Sequence, residues 1–365
     1  MTENIIEFNL NSCLKEAIKL NASDIHLRSG DVPIIRNGSA LTRLDMPILT
    51  ERDLGNIIQT ILPKGLRNKA SYAYDLDFSY EIKDVSRFRV NLCRQMGHTS
   101  LVFRVIPLAV KSFADLNLPA LLAKFADFQN GIILVTGPTG CGKSTTIASL
   151  VEYINQTRQK HIITIEDPVE YVYQSKNSLI TQRQVGLDTE SFYHGIKYAM
   201  RQDPDILVIG EIRDRETVDA ALQAAETGHL VLATLHTNDA ISTVNRLINM
   251  LDTKNREYTR HQVAGTLRAT ISQRLINTTD GKGKLPACEV MVATSTVEDL
   301  IRKNELDKIY ELIKYGQYTD MLTMNHSLNL LASGKLISQQ DAIMNSNRPT
   351  ELQQMLKGAY HGTRE

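Results

Sequence analysis

The residues with the clearest chemistry lie in one stretch, VTGPTGCGKSTT, which runs from residue 135 to 146. It fits the pattern GxxxxGK[ST], in which glycines let backbone N–H groups turn toward a phosphate chain. Lys143 adds positive charge near the β- and γ-phosphates, and Ser144 has the hydroxyl that ligates Mg²⁺. The residues predicted to contact the phosphates are Gly137, Pro138, Thr139, Gly140, Cys141, Gly142, Lys143, Ser144 and Thr145. The pattern alone leaves open whether the phosphate is hydrolysed, transferred or only held.

Acidic residues follow two further apolar runs. DILVIGE ends in Glu211, and HIITIE ends in Glu166, with Asp167 and Glu170 close behind. Since ligands bind at the carboxyl ends of strands in open α/β sheets, Glu211 can orient and activate an attacking water. Glu166 can assist it, and either Glu166 or Glu211 can hold Mg²⁺ through water. The alternative is that these carboxylates only cap the helices or turns that follow.

Two histidines, His229 and His236, bracket the apolar run LVLATL. A histidine at a strand end that faces a γ-phosphate can donate a hydrogen bond to it and respond to its loss. We therefore predict that both contribute to the phosphate site. A satisfied structural histidine is the alternative.

The pattern of apolar and polar residues along the chain predicts the helices and strands that position these residues. Residues 1–106 read as a small α/β domain, with an opening amphipathic helix and five strand-like segments. The helix would bury Ile5, Ile6, Leu10, Leu14 and Ile18, and the segments are SDIHLRSG, PIIRNG, YDLDFSYEI, SRFRVNLC and TSLVFRVIP. Residues 107–118 read as a linker. Residues 119–285 alternate apolar strands with helices, as in a parallel sheet buried on both faces, and residues 286–365 read as mostly helical.

The composition of the chain argues against several functional classes. Lys plus Arg and Asp plus Glu both number 41, so the chain lacks the basic excess typical of proteins that grip nucleic acid. The four cysteines contain no CxxC pair, which disfavours a zinc cluster and a disulfide framework. No apolar run approaches the roughly 20 residues of a spanning helix, so we expect no direct membrane insertion.

The motifs, in this order and at these intervals, resemble the secretion ATPase superfamily, and most closely the PilT-type retraction motors of type IV pili. The stretches that carry the resemblance are ILVTGPTGCGKSTTIASLVEYIN, HIITIEDPVEY, QRQVG, MRQDPDILVIGEIRDRET, AAETGHLVLATLHTNDA and ISQRL. The resemblance implies an α/β fold: a RecA-like P-loop NTPase domain with a smaller N-terminal PAS-like domain and C-terminal helices. It also implies ATP and Mg²⁺ as ligands, with Glu211 and Glu166 in hydrolysis.

Arginines gain a possible role from the same resemblance, because N-terminal arginines of such motors reach the nucleotide and stabilise charge on the γ-phosphate. Arg104 matches a family position, whereas Arg87, Arg89 and Arg94 otherwise read as a solvated strand face. Gln95-Met96-Gly97 stands where many relatives read QRG, so one candidate arginine is missing. Arg201 and Arg213 are candidates for contacts across a subunit interface.

The resemblance also implies a cytoplasmic homohexamer that lies peripherally at the inner membrane. Such a motor acts on a pilus platform protein and drives pilus retraction and twitching motility. A second motor ATPase is a further candidate partner, and nucleic acid is not expected. TVEDLIRKNE keeps Leu300, Ile301 and Arg302 of the retraction signature AIRNLIRE but alters its start. Accessory PilU-type motors and DotB-type ATPases of type IVB secretion share this size and motif set. A nucleotide-binding regulatory module and a nucleic-acid translocase are the rival functional classes.

Overall fold

A computed structural model describes residues 8–38, 40–67, 74–83, 85–106, 109–251, 255–316 and 319–358. By their internal contacts the described residues form two compact units. The first unit comprises Met1–Ala109 with Asp167–Val172, and the second comprises Val110–Glu166 with Tyr173–Glu365. The predictions for Ile5, Ile6 and residues 107–108 lie outside the described residues.

The described part of the first unit contains two α-helices and one antiparallel sheet of six strands. The helices are α1 (Leu10–Lys19) and α2 (Glu51–Ile61), and Lys64–Leu66 forms a 3-10 turn. The strands are β1 (Asp24–Arg28), β2 (Ile34–Asn37), β3 (Ala40–Arg43), β4 (Asp75–Ile82), β5 (Ser86–Gln95) and β6 (His98–Ile106). Their order in the sheet is β3-β2-β1-β6-β5-β4. The predicted opening helix and the five predicted strand segments are confirmed, and β3 is additional.

The core of the first unit follows from period-2 alternation. Along β5, Phe88, Val90 and Leu92 are buried while Arg87, Arg89 and Asn91, which alternate with them, are only partly covered. The helices close the same core with Leu14 and Leu54. Apolar residues thus line one face of the sheet, and Arg87, Arg89 and Arg104 lie on the other face, whereas Arg94 shares the register of the buried residues.

The second unit is built on a seven-stranded sheet in the described residues, in the order β13-β12-β7-β11-β10-β8-β9. The strands are β7 (Gly131–Thr136), β8 (His161–Glu166), β9 (Leu179–Gln184), β10 (Ile206–Ile209), β11 (Leu230–Leu235), β12 (Leu267–Asn277) and β13 (Lys284–Val292). All neighbours pair in parallel except β13, which is antiparallel to β12. Every residue of β7, β10 and β11 is buried, as predicted from their continuous apolar runs.

Helices cover both faces of this sheet. They are α3 (Lys143–Thr157), α4 (Phe192–Ala199), α5 (Arg215–Glu226), α6 (Ala240–Met250) and α7 (Arg256–Thr266), and Ala120–Asp127 forms a 3-10 segment. On one face Ile133 and Val135 pack with residues of α3 and of the 3-10 segment. On the other face Ile132 and Leu134 pack with residues of α4 to α7.

Sequence analysis did not predict three strands, β9, β12 and β13. Each contains polar residues that interrupt the apolar pattern. β12 buries Thr270, Ser272 and Gln273 inside the sheet, and β9 is mostly half-buried at the sheet edge. β13 crosses the predicted boundary between residues 285 and 286, because it pairs with β12 from Lys284 to Val292. The sheet of the second unit therefore extends seven residues beyond that boundary.

The segment after β13 is helical, as predicted. Its helices are α8 (Ser295–Arg302), α9 (Ile309–Tyr315), α10 (Met324–Ser333), α11 (Gln339–Met344) and α12 (Pro349–Leu356), with a 3-10 turn at Leu306–Lys308. No helix within the described ranges is long and apolar enough to span a membrane.

Candidate nucleotide site

The loop between β7 and α3 has a backbone shape that depends on glycine. Gly137, Gly140 and Gly142 have φ values of 143°, 77° and 91°, which residues with a side chain rarely adopt. Helix α3 begins at Lys143, directly after Gly142, so the unpaired N–H groups of its first turn border the loop. Loop amides and a helix N-terminus together attract phosphate oxygens. The loop thus has the local structure that the GxxxxGKS pattern predicts.

The side chain of Gln273 in β12 hydrogen-bonds to this loop and to α3. Sequence analysis did not identify this residue. Its side-chain Nε2 donates to the backbone oxygen of Cys141 at 2.7 Å. Its Oε1 accepts from the Thr146 hydroxyl at 2.6 Å. A Cβ atom added to Gly137 would lie 2.4 Å from the Gln273 backbone oxygen. The available signal was a polar residue in the middle of ATISQRLI, at a position where a buried strand ordinarily carries an apolar one.

Lys143, His236 and Glu211 meet at the carboxyl ends of three adjacent strands, β7, β11 and β10. The Lys143 Nζ atom lies 3.5 Å from His236 Nδ1, and His236 Nε2 lies 3.5 Å from Glu211 Oε2. Lys143 also donates to the backbone oxygens of Gly137 and Pro138 at 2.9 and 3.1 Å. The His236 ring therefore bridges the lysine of the loop and the carboxylate. This arrangement can bind a terminal phosphate on one side and a nucleophilic water on the other.

Glu211 does not cap the following helix. The N-cap of α5 is Asp214, whose side chain accepts from the Thr217 amide at 2.8 Å. The Glu211 side chain is only 15 % exposed and pairs with Arg213 as well as with His236. The capping alternative for Glu211 is therefore excluded, and its carboxylate faces the phosphate loop.

Glu166, the last residue of β8, is held by two side chains. Its Oε1 accepts from Thr164 Oγ1 at 2.6 Å and from Gln182 Nε2 at 3.1 Å. A Cβ atom added to Gly210 would lie 3.4 Å from Glu166 Cα, so the segments that lead to Glu166 and Glu211 run close together. Both carboxylates thus lie at the same edge of the sheet, as predicted. Asp167 and Glu170 belong to the segment that groups with the first unit.

His229 lies at the opposite edge of the sheet. It precedes Leu230, the first residue of β11, and its Nδ1 lies 3.0 Å from the Ala224 backbone oxygen. A strand of six residues at about 3.3 Å each separates it from the edge where His236 lies, which is roughly 20 Å. The prediction that both histidines act at one phosphate site is corrected for His229. Residues that bracket a strand cannot share an edge of the sheet.

The predicted arginines of the first unit all lie on its sheet. Arg104 Nε donates to Asp24 Oδ1 at 2.9 Å, and the Arg104 side chain remains 67 % exposed. The other three bind neighbouring strands: Arg87 with Ser79 and Glu81, Arg89 with Asp77, and Arg94 with Thr99. A role in charge stabilisation stays a prediction for all four.

The remaining two arginines belong to the second unit. Arg213 pairs with Glu211 within the chain. The Arg201 guanidinium lies 6.0 Å from the centre of the Tyr198 ring. Their predicted contacts across a subunit interface stay predictions.

The site fits a nucleotide with Mg²⁺. The glycine loop packs so closely on Gln273 and Cys141 that Gly137 has no room for a Cβ, and Lys143 supplies a buried cation beside the loop. Ser144, the second residue of α3, is exposed, so its hydroxyl is accessible to a cation beside the phosphates.

Cys141 is predicted to react slowly with alkylating reagents despite its place in the loop. It is 3 % exposed, and burial raises the pKa of its thiol above the ordinary value. Cys93, which is partly exposed, serves as the internal control. We expect iodoacetamide at pH 7.5 to modify Cys141 at least about tenfold more slowly than Cys93, as measured by peptide mass spectrometry. Equal rates would show that the loop opens readily.

Comparison with known proteins identifies the family. Residues 74–348 match the family described as "Type II/IV secretion system protein". The chain belongs to the type II/IV secretion system protein family. This type II/IV secretion protein is 40 % identical over 339 residues to a "Twitching motility protein" of Neisseria gonorrhoeae, with 91 % of each chain covered.

Solved structures agree with this family assignment. The crystal structure of the pilus retraction motor PilT with bound ADP matches with a TM-score of 0.89 and 42 % identity, covering 96 % of this chain and 100 % of that one. The Legionella pneumophila ATPase DotB matches with a TM-score of 0.77 and 27 % identity, covering 94 % and 97 %. The predicted resemblance and fold class are confirmed: this type II/IV secretion protein has the RecA-like secretion ATPase fold, with a smaller N-terminal domain and C-terminal helices.

Proposed function

We propose that this protein hydrolyses ATP to ADP and phosphate and uses the reaction to power retraction of a type IV pilus. The observation that carries the proposal is the bridge from Lys143 through His236 to Glu211. It joins a lysine suited to phosphate binding to a carboxylate suited to orient an attacking water. A purely nucleotide-holding module would not need that carboxylate.

Each residue has a defined role in this proposal. Lys143 and the loop amides bind the phosphates and offset their charge. Glu211 orients the attacking water and accepts its proton, and Glu166 assists at the same edge. His236, placed between Lys143 and Glu211, responds to loss of the γ-phosphate. Ser144 would hold Mg²⁺ directly and Glu166 or Glu211 through water, and the ion would supply positive charge that offsets that of the phosphates.

The oligomeric state, cellular location and partners that we propose follow from the proteins that this chain resembles. We propose a homohexamer that is cytoplasmic and peripheral at the inner membrane, where it acts on a pilus platform protein. A second motor ATPase is a further proposed partner, and Arg104 is the proposed charge stabiliser from the N-terminal domain. Closure around ATP and opening after hydrolysis would shift one domain against the next.

The test has a biochemical arm and a cellular arm. The purified protein should release phosphate from ATP, and chelation of Mg²⁺ should abolish that release. The gene should also restore twitching motility to a pilus-bearing host that lacks its retraction motor. Absence of phosphate release would contradict the enzymatic proposal. Phosphate release without restored motility would favour the DotB-like or PilU-like alternative, since the DotB structure also matches over nearly the whole chain.

A further inference from the structure

Glu289 of β13 is a carboxylate buried in the second unit that the proposed hydrolysis does not use. Only 4 % of the residue is exposed. Its Oε1 accepts the backbone N–H of Ala240 at 2.9 Å, and the backbone N–H of Met324 also stabilises the charged form of the carboxylate. Ala240 and Met324 are the first residues of α6 and α10. One side chain therefore interacts with the first amides of two helices that are far apart in sequence.

The bond to Ala240 fixes one end of the segment that carries His236. That segment runs from Leu235, the last residue of β11, to Ala240. The His236 side chain is 48 % exposed, so few contacts of its own determine where the ring lies. A hydrogen bond between the hydroxyls of Thr237 and Thr243, at 2.7 Å, ties the same segment to α6. The position of the His236 ring between Lys143 and Glu211 thus depends on how the start of α6 is anchored.

The Met324 amide and its neighbours connect this anchor to the C-terminal helices. β13 already holds the segment before α10, because Val290 and Leu322 exchange two backbone hydrogen bonds of 2.7 and 2.9 Å. The Ser327 hydroxyl of α10 accepts the Cys288 amide at 3.0 Å. Glu289 lies between these contacts, where β13, α6 and α10 meet.

Stability does not explain a carboxylate at this position. Burial raises the pKa of Glu289 to about 7, against the opposing effect of the two amides and of Arg274. An apolar residue would avoid that desolvation cost, whereas a carboxylate has acceptors for two N–H groups at once. An amide side chain keeps one acceptor oxygen but has an NH₂ donor in place of the other, and that group cannot accept an N–H.

We propose that Glu289 is a positioning residue that anchors the start of α6, and thereby His236, to the C-terminal helices. Its carboxylate holds His236 at the distance from Lys143 and Glu211 at which hydrolysis proceeds. This inference rests on the proposed ATP hydrolysis. It predicts a defect in turnover rather than in nucleotide binding, because the hydrogen bond of Glu289 runs to the start of α6 and not to the phosphate loop.

The test is the steady-state phosphate release of Glu289→Gln in the full-length protein. We expect kcat to fall about tenfold while KM for ATP changes less than about twofold. Ser338→Ala is the matched control, because it removes the N-cap bond of α11 to the Asp341 amide elsewhere in the C-terminal region. We expect the control to keep the wild-type kcat. An unchanged kcat in Glu289→Gln, or an equal loss in the control, would overturn the proposal.

A double-mutant cycle tests whether Glu289 acts through His236. In a His236→Ala background, Glu289→Gln should change kcat less than about twofold, since the group being positioned is gone. Additive losses would show that Glu289 acts by another route.

Ala240→Pro removes the N–H that donates to Glu289. It is the alternative variant if Glu289→Gln does not fold. Proline is accepted at the first position of a helix, and Asp239 before it has the extended φ and ψ of −158° and 170° that a following proline requires. It should reproduce the loss of kcat. A wild-type kcat in a folded Ala240→Pro would contradict the anchor.

Hydrogen exchange separates this inference from the proposed function, because it needs no turnover. In Glu289→Gln the amides of residues 237–241 should exchange faster than in the wild type, while those of α12 should not. A wild type without phosphate release would refute the proposed function and leave the anchor testable in this way. Unchanged exchange would refute the anchor itself.

Discussion

Replacing Glu211 by Gln is expected to lower steady-state phosphate release by about 10²-fold or more while ATP binding is retained. Gln has the size of Glu and can still hydrogen-bond with His236 and Arg213, so the geometry at the strand end should persist. It cannot accept the proton of the attacking water, and it lacks the negative charge that orients that water. Measurement of released phosphate together with the affinity for a fluorescent ATP analogue separates the two effects.

The matched control for Glu211→Gln is Glu216→Gln. Glu216 is an exposed carboxylate in the first turn of α5, only five positions along the chain. We expect it to keep wild-type phosphate release. Equal phosphate release in the wild type and Glu211→Gln would contradict hydrolysis at this edge of the sheet and favour a module that only binds nucleotide.

Replacing Gly137 by Ala is expected to weaken nucleotide binding by about 100-fold, or about 3 kcal/mol. The new Cβ would lie 2.4 Å from the Gln273 backbone oxygen and 2.5 Å from the Cys141 Sγ atom. The φ of 143° is also strained for any residue with a side chain. Because β12 is buried inside the sheet, its backbone cannot move away, so the loop must deform instead.

Gly140→Ala provides the control within the same loop. Its φ of 77° is also left-handed, but a Cβ there meets nothing within 4 Å. We expect only the conformational penalty of about 1 kcal/mol, which corresponds to roughly fivefold weaker binding. Titration with a fluorescent ADP analogue measures both variants. If they weaken binding equally, backbone strain rather than packing against Gln273 determines the loop.

Much of the fold was predictable from local patterns. β7, β10 and β11 are continuous apolar runs, and such runs are required where a parallel sheet is covered on both faces. β12 and β13 were missed because Thr270, Gln273 and Glu289 interrupt the apolar pattern with buried polar side chains. Gln273 hydrogen-bonds with Thr146, which lies 127 residues away in the sequence, and Glu289 hydrogen-bonds with Ala240, which lies 49 residues away.

The residues of the candidate site also include some that the sequence predicted correctly and one that it did not. Lys143 was found through the GxxxxGK[ST] pattern, and Glu211 and His236 because each follows an apolar run whose parallel strand ends at the same edge. The same reasoning misplaced His229, which precedes its strand and so lies at the amino edge. The direction of the chain through β11 already distinguishes the two histidines, whereas their shared motif does not.

The sequence by itself determined the phosphate loop and the strand ends that face it, because glycine content, hydrophobic periodicity and strand direction are local properties. Only the tertiary structure decided which polar residues support that site. Gln273 under the loop and Glu289 behind the His236 segment are recognised by hydrogen bonds between elements whose pairing depends on sheet register. Register is set by the packing of the whole sheet, so no stretch of sequence read in isolation contains it.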